Sequence, residues 1–482
     1  MDKFYITAAI PYVNAKPHIG HALEFVQTDT IRRYHKLLGE DSVSLSGGDE
    51  NALKNVQAAE EKRVPVQSFV DKNTELFRQL AIALNAEFDF WQKGSNEKHH
   101  LSVQKLWKLC KKDIYKKKYE GLYCVGCEAF YTPEELNENG ECFEHPGKKL
   151  HKVSEKNYFF KLSKYQKDLI NLIQSDKLKV IPESRKNEVL SFLKNPLQDI
   201  SISRTNDRAK NWGVPVPGDP TQRIYVWFDA LNIYQSGIGF GWDDKKYNKY
   251  WPADVHAIGK GILRFHAIYW PAFLLSAGLA LPKAIFVHGY LTVNGQKMSK
   301  SLGNVVDPIE FIEKYGADAL RYYLLAKVSP FADGDFSEEK LKDAYNADLA
   351  NGLGNLVARV AKLAENLTIP DNPTVDKIIH ETPTLPKKTL TLYAQAIEKY
   401  EFDEALKLLW QDIKIVDQYI NEWQPWKLTG EKLTRVVSVS VDALRYLSTQ
   451  LKPFLPETAE RIEKQFTGPK IKSREPLFPR LK

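Results

Sequence analysis

The chain has 482 residues, 43% of them hydrophobic and 27% charged, with a formal net charge of +7 and only four cysteines. That length predicts about three domains of roughly 150 residues each, with ample apolar content for large cores. The modest positive charge permits a polyanionic partner without demanding one. No apolar run could span a bilayer, no signal-peptide pattern precedes the first strand, and four cysteines are too few for a disulfide scaffold, so a cytoplasmic protein is expected.

In chain order, residues 4–10 are apolar and β-prone and predict a buried parallel strand. A helix follows from about His21, with Leu23, Val26, Ile31, Tyr34, Leu37 and Leu38 on one stripe and Gly39 as its stop. Residues 42–46 predict a second short strand. Strand, helix, strand is the crossover unit of a nucleotide-binding sheet. Residues 115–196 break that rhythm with clustered cysteines and short aromatic strands such as Tyr158-Phe159-Phe160, so they predict an insertion between two halves of the sheet. The sheet is expected to resume at 224–228, 255–258 and 285–288. From Ser337 onward long amphipathic helices are predicted at 338–367, 392–420 and 434–451, with a Pro- and Thr-rich connection at 369–387. The fold class is therefore α/β, a Rossmann-type parallel-sheet domain with an inserted domain and a C-terminal helical domain. The expected divisions are 1–115 and 199–290 for the two halves of the sheet domain, 116–198 for the insertion, 291–336 for a linking region and 337–482 for the helices.

Within the insertion, Cys124-x2-Cys127 and Cys142-x2-His145 have the spacing of a structural zinc knuckle. Four protein ligands leave no open coordination position, and Gly126 and Gly147 allow the tight turns. The competing explanation is a chance cluster of buried thiols. Cys110, outside the cluster, is expected to be a buried helix thiol.

Two short strings lie far apart. Pro17-His18-Ile19-Gly20-His21 sits where the first strand gives way to a helix, and Lys297-Met298-Ser299-Lys300-Ser301 lies in the back half. A helix N-terminus presents free N–H groups and a partial positive charge, which suits phosphate. Alone, each string has an ordinary explanation: two histidines at a strand end, or lysines on a solvated surface. Together, in this order, they resemble the paired signatures of the class I aminoacyl-tRNA synthetases. The surrounding wording most closely resembles the methionyl-tRNA synthetase family, over residues 6–466.

The resemblance implies a methionine–tRNA ligase with L-methionine, ATP and tRNA(Met) as partners, Mg2+ accompanying ATP, and one structural Zn2+. Methionine carboxylate would attack the α-phosphate of ATP, giving methionyl-adenylate and pyrophosphate. The terminal ribose of the tRNA, by family rule through its 2′-OH, would then take the methionyl group. The resemblance assigns catalysis to His18, His21, Lys297 and Lys300, and ATP binding to these with Gly20 and Arg204. It assigns methionine binding to Ile10, Tyr12, Asp49, Trp227, Ala230, Leu231, Tyr234, Phe265 and His266, with Asp49 on the α-ammonium. It assigns anticodon reading to Asn355, Arg359, Pro425 and Trp426 of the helical domain, and zinc to Cys124, Cys127, Cys142 and His145. A monomer is expected, since an added dimerising C-terminal domain known in some relatives is lacking.

The residues themselves leave alternatives open. Each pocket aromatic taken singly is as well explained as core, Arg204 as a solvated surface arginine, and Trp426 as a core tryptophan. Lys116, Lys117 and Lys118 could meet a tRNA acceptor stem or face solvent. A hydrophobic pocket separates substrates differing by a methylene by only about 1–3 kcal/mol, so physics alone does not name methionine. The chain departs from the family at Gly261, where an Asp is usual. A water or a neighbouring acid is expected in its place.

Overall fold

A six-stranded sheet positions the first half of the site. The computed structural model describes residues 2–124, 129–131, 136–142, 147–298, 303–369 and 387–481. They form two compact units. The first comprises Met1–Pro17, Glu40–Ala81 and Glu87–His288, and the second His18–Gly39, Ile82–Ala86 and Gly289–Lys482.

In the first unit the strands are β1 (Lys3–Ala8), β2 (Asp41–Gly48), β3 (Phe90–Lys93), β4 (Lys179–Ile181), β5 (Val255–Gly259) and β6 (Ala284–His288). They pair in the order β3-β2-β1-β5-β6-β4, and every pairing is parallel. Register places Thr7 of β1 beside Leu45 of β2 on one side and His256 of β5 on the other. The strand order reverses between β1 and β5. The carboxyl ends of those two strands therefore flank the crevice where open α/β sheets bind ligands. Central strands covered on both faces need near-continuous apolar runs, which is what made β1, β5 and β6 legible.

Two strands of this sheet were not predicted. Edge strand β3 is short and half-buried. Strand β4 lies inside the stretch expected to be insertion, yet it pairs with β6. One expected strand is absent. Residues 224–228 do not join the sheet: Asp219–Ile224 pairs with Pro215–Val216 and Ser203–Thr205 in a small antiparallel sheet, and Val226–Leu231 is helical. A short aromatic and β-branched run is ambiguous by periodicity, and here Tyr225 turns the chain into a helix with Asp229 in its first turn. The rest of the insertion is built on Ile114–Cys124 and His151–Phe160, antiparallel from Ile114 opposite Phe160 to Tyr123 opposite His151. Lys116 on this ribbon lies 2.8 Å from Asp219, so that lysine is not simply solvated. Cys110 is buried at the end of helix Glu97–Leu109, its thiol donating to the Phe273 carbonyl, and burial pushes it up to about 12.

The second unit starts with helix α1 (Ile19–Leu37), which buries Leu23, Val26, Ile31 and Tyr34 of the predicted stripe, whereas Leu38 is its exposed C-cap. Its later helices include α2 (Ala317–Ala326), α3 (Asn355–Ala364), α4 (Phe402–Trp423) and α5 (Gly430–Leu451). The expected helix at 338–367 is Glu338–Ala344, a π-helical stretch Tyr345–Gly354, and then α3. The expected helix at 392–420 is two, Lys387–Glu398 and α4. The chain breaks between them at Tyr400, whose φ of 64° is left-handed. Helix Pro456–Phe466 was not predicted. Most of the connection expected at 369–387 lies outside the described residues. Among the described residues no helix is long and apolar enough to cross a membrane.

A buried ion pair ties α1 into its unit. Arg321 on α2 and Asp29 on α1 are fully buried, with Nη1 2.7 Å from Oδ2. Arg321 also donates from Nε to the Phe454 carbonyl at 2.7 Å, from Nη2 to Pro453 at 2.9 Å and from Nη1 to Leu84 at 3.1 Å. Arg33 donates to the same Asp29 oxygen at 2.8 Å. Removing one partner of such a pair leaves a buried charge uncompensated. Arg321→Met is therefore expected to lose about 3–5 kcal/mol in urea unfolding. Arg321→Lys should recover less than half of that, because an ammonium cannot reach the same set of acceptors. An unchanged urea midpoint for Arg321→Met would remove the pair from any structural role.

Candidate functional site

In the first unit, β1 runs into Ile10 and Tyr12, and β2 into Asp49. Tyr12 and Asp49 form an isolated parallel bridge, and the Asp49 N–H donates to the Pro11 carbonyl at 2.9 Å. The Asp49 carbonyl accepts from Asn55 Nδ2 at 2.8 Å, which fixes the buried aspartate at the strand end. Gly47 is required just before it, since a Cβ there would lie 1.9 Å from the Gln92 carbonyl oxygen.

An aromatic cluster stands on neighbouring elements of the same unit. Trp227 stacks on Phe265 with ring centroids 3.7 Å apart at 5°, and Tyr12 meets Trp227 edge-on at 6.2 Å. Phe265 and His266 open a π-helical turn, Phe265–Tyr269, a distortion that recurs at functional sites. His266 Nδ1 faces the Ile262 carbonyl at 2.9 Å, so Nδ1 carries the proton, and Nε2 accepts from the Tyr234 hydroxyl at 2.7 Å. Burial pushes His266 down to about 4, so it is neutral near pH 7. Behind Tyr234, His256 accepts from Trp270 Nε1 at 3.2 Å and lies 2.7 Å from Thr7 Oγ1. Burial holds it well below the ordinary imidazole range. Ala230 and Leu231 are buried on the Trp227 helix, and Ile10 packs half-buried against the same core. The buried indole N–H of Trp227 has no hydrogen-bond partner among the described residues. This arrangement offers an uncharged aromatic wall and one carboxylate, chemistry suited to an amino acid with an uncharged side chain.

Three residues of this region had no sequence signal. Asp229 accepts from Asn51 Nδ2 at 2.7 Å through one oxygen, and its other oxygen lies 2.5 Å from His99 Nε2. His99 Nδ1 is 2.7 Å from Ser236 Oγ. The trio resembles a hydrolytic triad, but all three side chains are buried, and serine and aspartate sit on the ring nitrogens opposite to the usual arrangement. Its consequence is positional, tying the loop after Asp49 to the helix of Trp227 and Ala230. Only partners far apart in the chain create it.

Arg204 is not a surface arginine. It is buried, donates to the Ser203 carbonyl at 2.8 Å and to Ser201 Oγ at 3.0 Å, and its guanidinium lies 4.4 Å from the Tyr225 ring. Gly261 lies in a single 3-10 turn, Lys260–Ile262, just after β5.

In the second unit, His18 is the extended N-cap of α1. Its Nδ1 accepts from the Gly20 N–H at 3.1 Å, and His21 Nδ1 accepts from the His18 N–H at 3.1 Å. Both Nδ1 atoms are occupied as acceptors, so each neutral ring carries its proton on Nε2. The rings lie 3.9 Å apart, and burial pushes His18 down to about 4. A Cβ at Gly20 would come within 3.0 Å of the His18 ring and 3.7 Å of Met298 Cε. The Ile19 N–H donates to the Val306 carbonyl at 3.1 Å. Met298 within the lysine string and Val306 just after it thus meet the start of α1. Lys300 lies outside the described residues, as does the Lys297 side chain.

Further along the second unit, Asn355 and Arg359 share one face of α3, with Asn355 exposed. Arg359 donates to Asp417 at 2.8 Å and to Asn421 at 2.6 Å, and its guanidinium is 5.4 Å from the Trp426 ring. Trp426 is 55% exposed and so is not core, while the neighbouring Pro425 is buried. In the first unit the buried Cys124 and Cys142 sulfurs lie 3.2 Å apart. Cys127 and His145 lie outside the described residues, among which no cluster of three or more metal-binding side chains occurs.

Residues 4–361 match the family described as tRNA synthetases class I (M). A methionine–tRNA ligase of Thermotoga maritima is 40% identical over 98% of this chain and 77% of its own length. One of Brucella suis is 38% identical over 99% of this chain and 98% of its own. Among solved structures, Mycobacterium tuberculosis methionyl-tRNA synthetase in complex with methionyl-adenylate matches with a TM-score of 0.92 at 35% identity, covering 100% of both chains.

The buried histidines make a pH prediction. His18 and His266 are each held near 4 when folded against 6.5 ordinarily, so the unfolded chain binds a proton that the folded chain refuses. Their contribution to stability is present above about pH 6.5 and is lost as pH falls toward 4, reaching about 2 kcal/mol per ring by pH 5. The imidazole carbon resonances of both residues should stay at neutral-form positions from about pH 8 to about pH 5. Titration with a midpoint near the ordinary value would contradict their burial.

Proposed function

The chain belongs to the methionine–tRNA ligase family of class I tRNA synthetases, and from that premise we propose how its own residues carry the two half-reactions. The activity is ATP-dependent joining of L-methionine to tRNA(Met). A methionine carboxylate oxygen attacks the α-phosphorus of ATP, the bond to the β-phosphate breaks, and pyrophosphate leaves. A ribose hydroxyl at the tRNA 3′ end then takes the methionyl group and AMP departs. The carboxylate is already a nucleophile, so the first step needs positioning and charge stabilisation rather than a general base.

His18 and His21 supply Nε2–H donors to the triphosphate at the α1 N-terminus, with Gly20 admitting the backbone close to it. Lys297 and Lys300 neutralise the leaving pyrophosphate, Mg2+ accompanies ATP, and Arg204 stands on the ATP side. The observation that most supports this reading is the meeting of Met298 and Val306 with the start of α1. It joins two strings that would otherwise be ordinary.

Asp49 pairs with the methionine α-ammonium. Tyr12, Trp227, Tyr234, Phe265 and His266, with Ile10, Ala230 and Leu231, enclose the thioether, whose sulfur makes favourable contacts with aromatic rings. Neutral His266 leaves a cationic or anionic side chain without a partner there, which rejects such substrates more strongly than a missing methylene could. Asn355, Arg359, Pro425 and Trp426 read the anticodon, Trp426 by stacking an unpaired base.

The insertion carries one structural zinc on Cys124, Cys127, Cys142 and His145. Support comes from the two buried sulfurs at 3.2 Å, well beyond the length of a disulfide bond, and from the soft donor set. The functional divisions follow the sequence reading, with β4 returned to the main sheet: 1–115 and 199–290 for catalysis, the rest of 116–198 for the connective insertion, 291–336 for the lysine loop and its link, and 337–482 for the anticodon-binding helices. The chain works in the cytoplasm, where tRNA is charged.

Pyrophosphate exchange without tRNA, run across all twenty amino acids, should respond to methionine alone. His21→Ala should lower that exchange about 100-fold or more in a folded protein. Trp426→Ala should leave it intact and impair tRNA charging. Exchange with a different amino acid overturns the pocket, and intact charging by Trp426→Ala overturns the anticodon assignment. The zinc has its own test. Native mass spectrometry should find one ion per chain, and its chelation should expose residues 116–198 to proteolysis. A metal-free chain with an equally resistant insertion rejects the knuckle.

A further inference from the structure

The hairpin that leads into the lysine string is too small to hold itself. Leu291–Val293 and Gln296–Lys297 pair antiparallel, with Thr292 opposite Lys297 and Val293 opposite Gln296. Between them Asn294 and Gly295 turn the chain with left-handed φ angles of 51° and 76°, the tight turn that Asn-Gly favours. A lone two-stranded hairpin is marginal in water and needs a further strand. That strand is Gly334–Phe336, which pairs parallel with Leu291–Val293 and sets Asp335 opposite Thr292. The Asp335 side chain adds to this pairing. Its Oδ1 accepts from Thr292 Oγ1 and from the Gly295 N–H, each at 2.7 Å, and its Oδ2 lies 2.8 Å from Lys340 Nζ. Such bonds to an ionised carboxylate are stronger than bonds between neutral groups. The Asn294 N–H donates to the Phe336 carbonyl at 3.1 Å. Both turn residues and the strand partner of Lys297 are therefore bonded to one short segment. That segment is itself fixed, since the Tyr323 hydroxyl of α2 donates to the Asp335 carbonyl at 3.0 Å. Helix α2 also carries Arg321, which grips Asp29 of α1. The hairpin of the lysine string and the helix of the histidine string thus share one frame.

We propose that Asp335 is a positioning residue for methionine activation: by clamping Thr292 and the Gly295 N–H it fixes the hairpin from which the lysine string starts, and so sets where the lysines are delivered. It rests on the reading given above that Lys297 and Lys300 meet the leaving pyrophosphate. Asp335 touches neither substrate in this scheme and acts only through the string.

The test measures single-turnover adenylate formation by rapid quench in the full chain, without tRNA. Its rate constant does not depend on how much of a sample is folded. Asp335→Ala is expected to slow this step about tenfold or more, since misplacement by about 1 Å can cost on the order of 100-fold. The methionine concentration for half-maximal rate should not change, because the lost interaction belongs to the transition state. Asp335→Asn keeps an oxygen acceptor for Thr292 and Gly295 and should retain most of the rate. Thr292→Val removes one donor at similar volume and should give a smaller loss of the same kind, which serves if Asp335→Ala does not fold. In a chain that also carries Lys297→Ala and Lys300→Ala, Asp335→Ala should cost little more, because residues acting through one another are not additive. If the two lysine substitutions slow the step and Asp335→Ala does not, the clamp is rejected while the nucleotide reading stands. If the lysine substitutions leave the rate unchanged, that reading fails and the clamp with it. Equal cost of Asp335→Ala with and without the lysines rejects action through the string. Equal loss in Asp335→Asn and Asp335→Ala moves the effect to the Lys340 ion pair and rejects the hairpin contacts as its cause.

Discussion

The buried pairing of Arg321 with Asp29 is the constraint on which the placement of α1 in the second unit depends. A guanidinium and a carboxylate have been taken out of water, which costs several kcal/mol per ion unless every donor is met. Here Arg321 reaches Asp29 and three backbone carbonyls, and Arg33 shares the carboxylate. Those carbonyls belong to Leu84, Pro453 and Phe454, so one side chain gathers α1, a short turn and the end of the long α5 segment around α2. An apolar replacement could match the burial but not the direction. The rotation and depth of α1 follow from satisfying this set, and with them the aim of His18, Gly20 and His21 at its N-terminus.

The two halves of the proposed chemistry both rest on neutral imidazoles. At the start of α1, backbone N–H groups take both Nδ1 atoms, so neutral imidazoles present donors without adding charge. In the first unit, His266 and His256 are kept neutral by burial, and hydrogen bonds to Ile262, Tyr234, Trp270 and Thr7 account for their ring nitrogens. A neutral, hydrogen-bonded wall is stiff, and stiffness matters more than area when a pocket must distinguish side chains of similar volume. The Asp229–His99–Ser236 chain extends that stiffness to the loop bearing Asp49.

The proposed anticodon face follows another rule. Arg359 is oriented by Asp417 and Asn421 beneath an exposed tryptophan rather than buried with it. Such an arrangement costs the free protein exposed apolar surface. It is tolerable where a partner with flat, charged building blocks covers the surface in use.

The sequence by itself determined the features whose information is local or repeated. It showed the apolar runs of β1, β5 and β6, most of the stripe and the stop of α1, the helical last third, the cysteine spacing and the two short strings that carry the family resemblance. Each rests on residues within one element or on a motif whose chemistry needs a fixed spacing. The tertiary structure alone decided the rest. Residues 226–231 became a helix because periodicity cannot separate a short aromatic strand from a short helix, and neighbouring elements decide between them. Strand β4 is three residues long, too few to show a pattern, and exists because β6 offers an edge. Arg204 is buried because the Ser201 and Ser203 backbones and the ring of Tyr225 close around it. His99 meets Asp229 across 130 positions of chain, and Arg321 meets Asp29 across more than half of the chain. Patterns of hydrophobicity mark which side of an element is inside, but they carry no record of which distant polar group will be there to meet it.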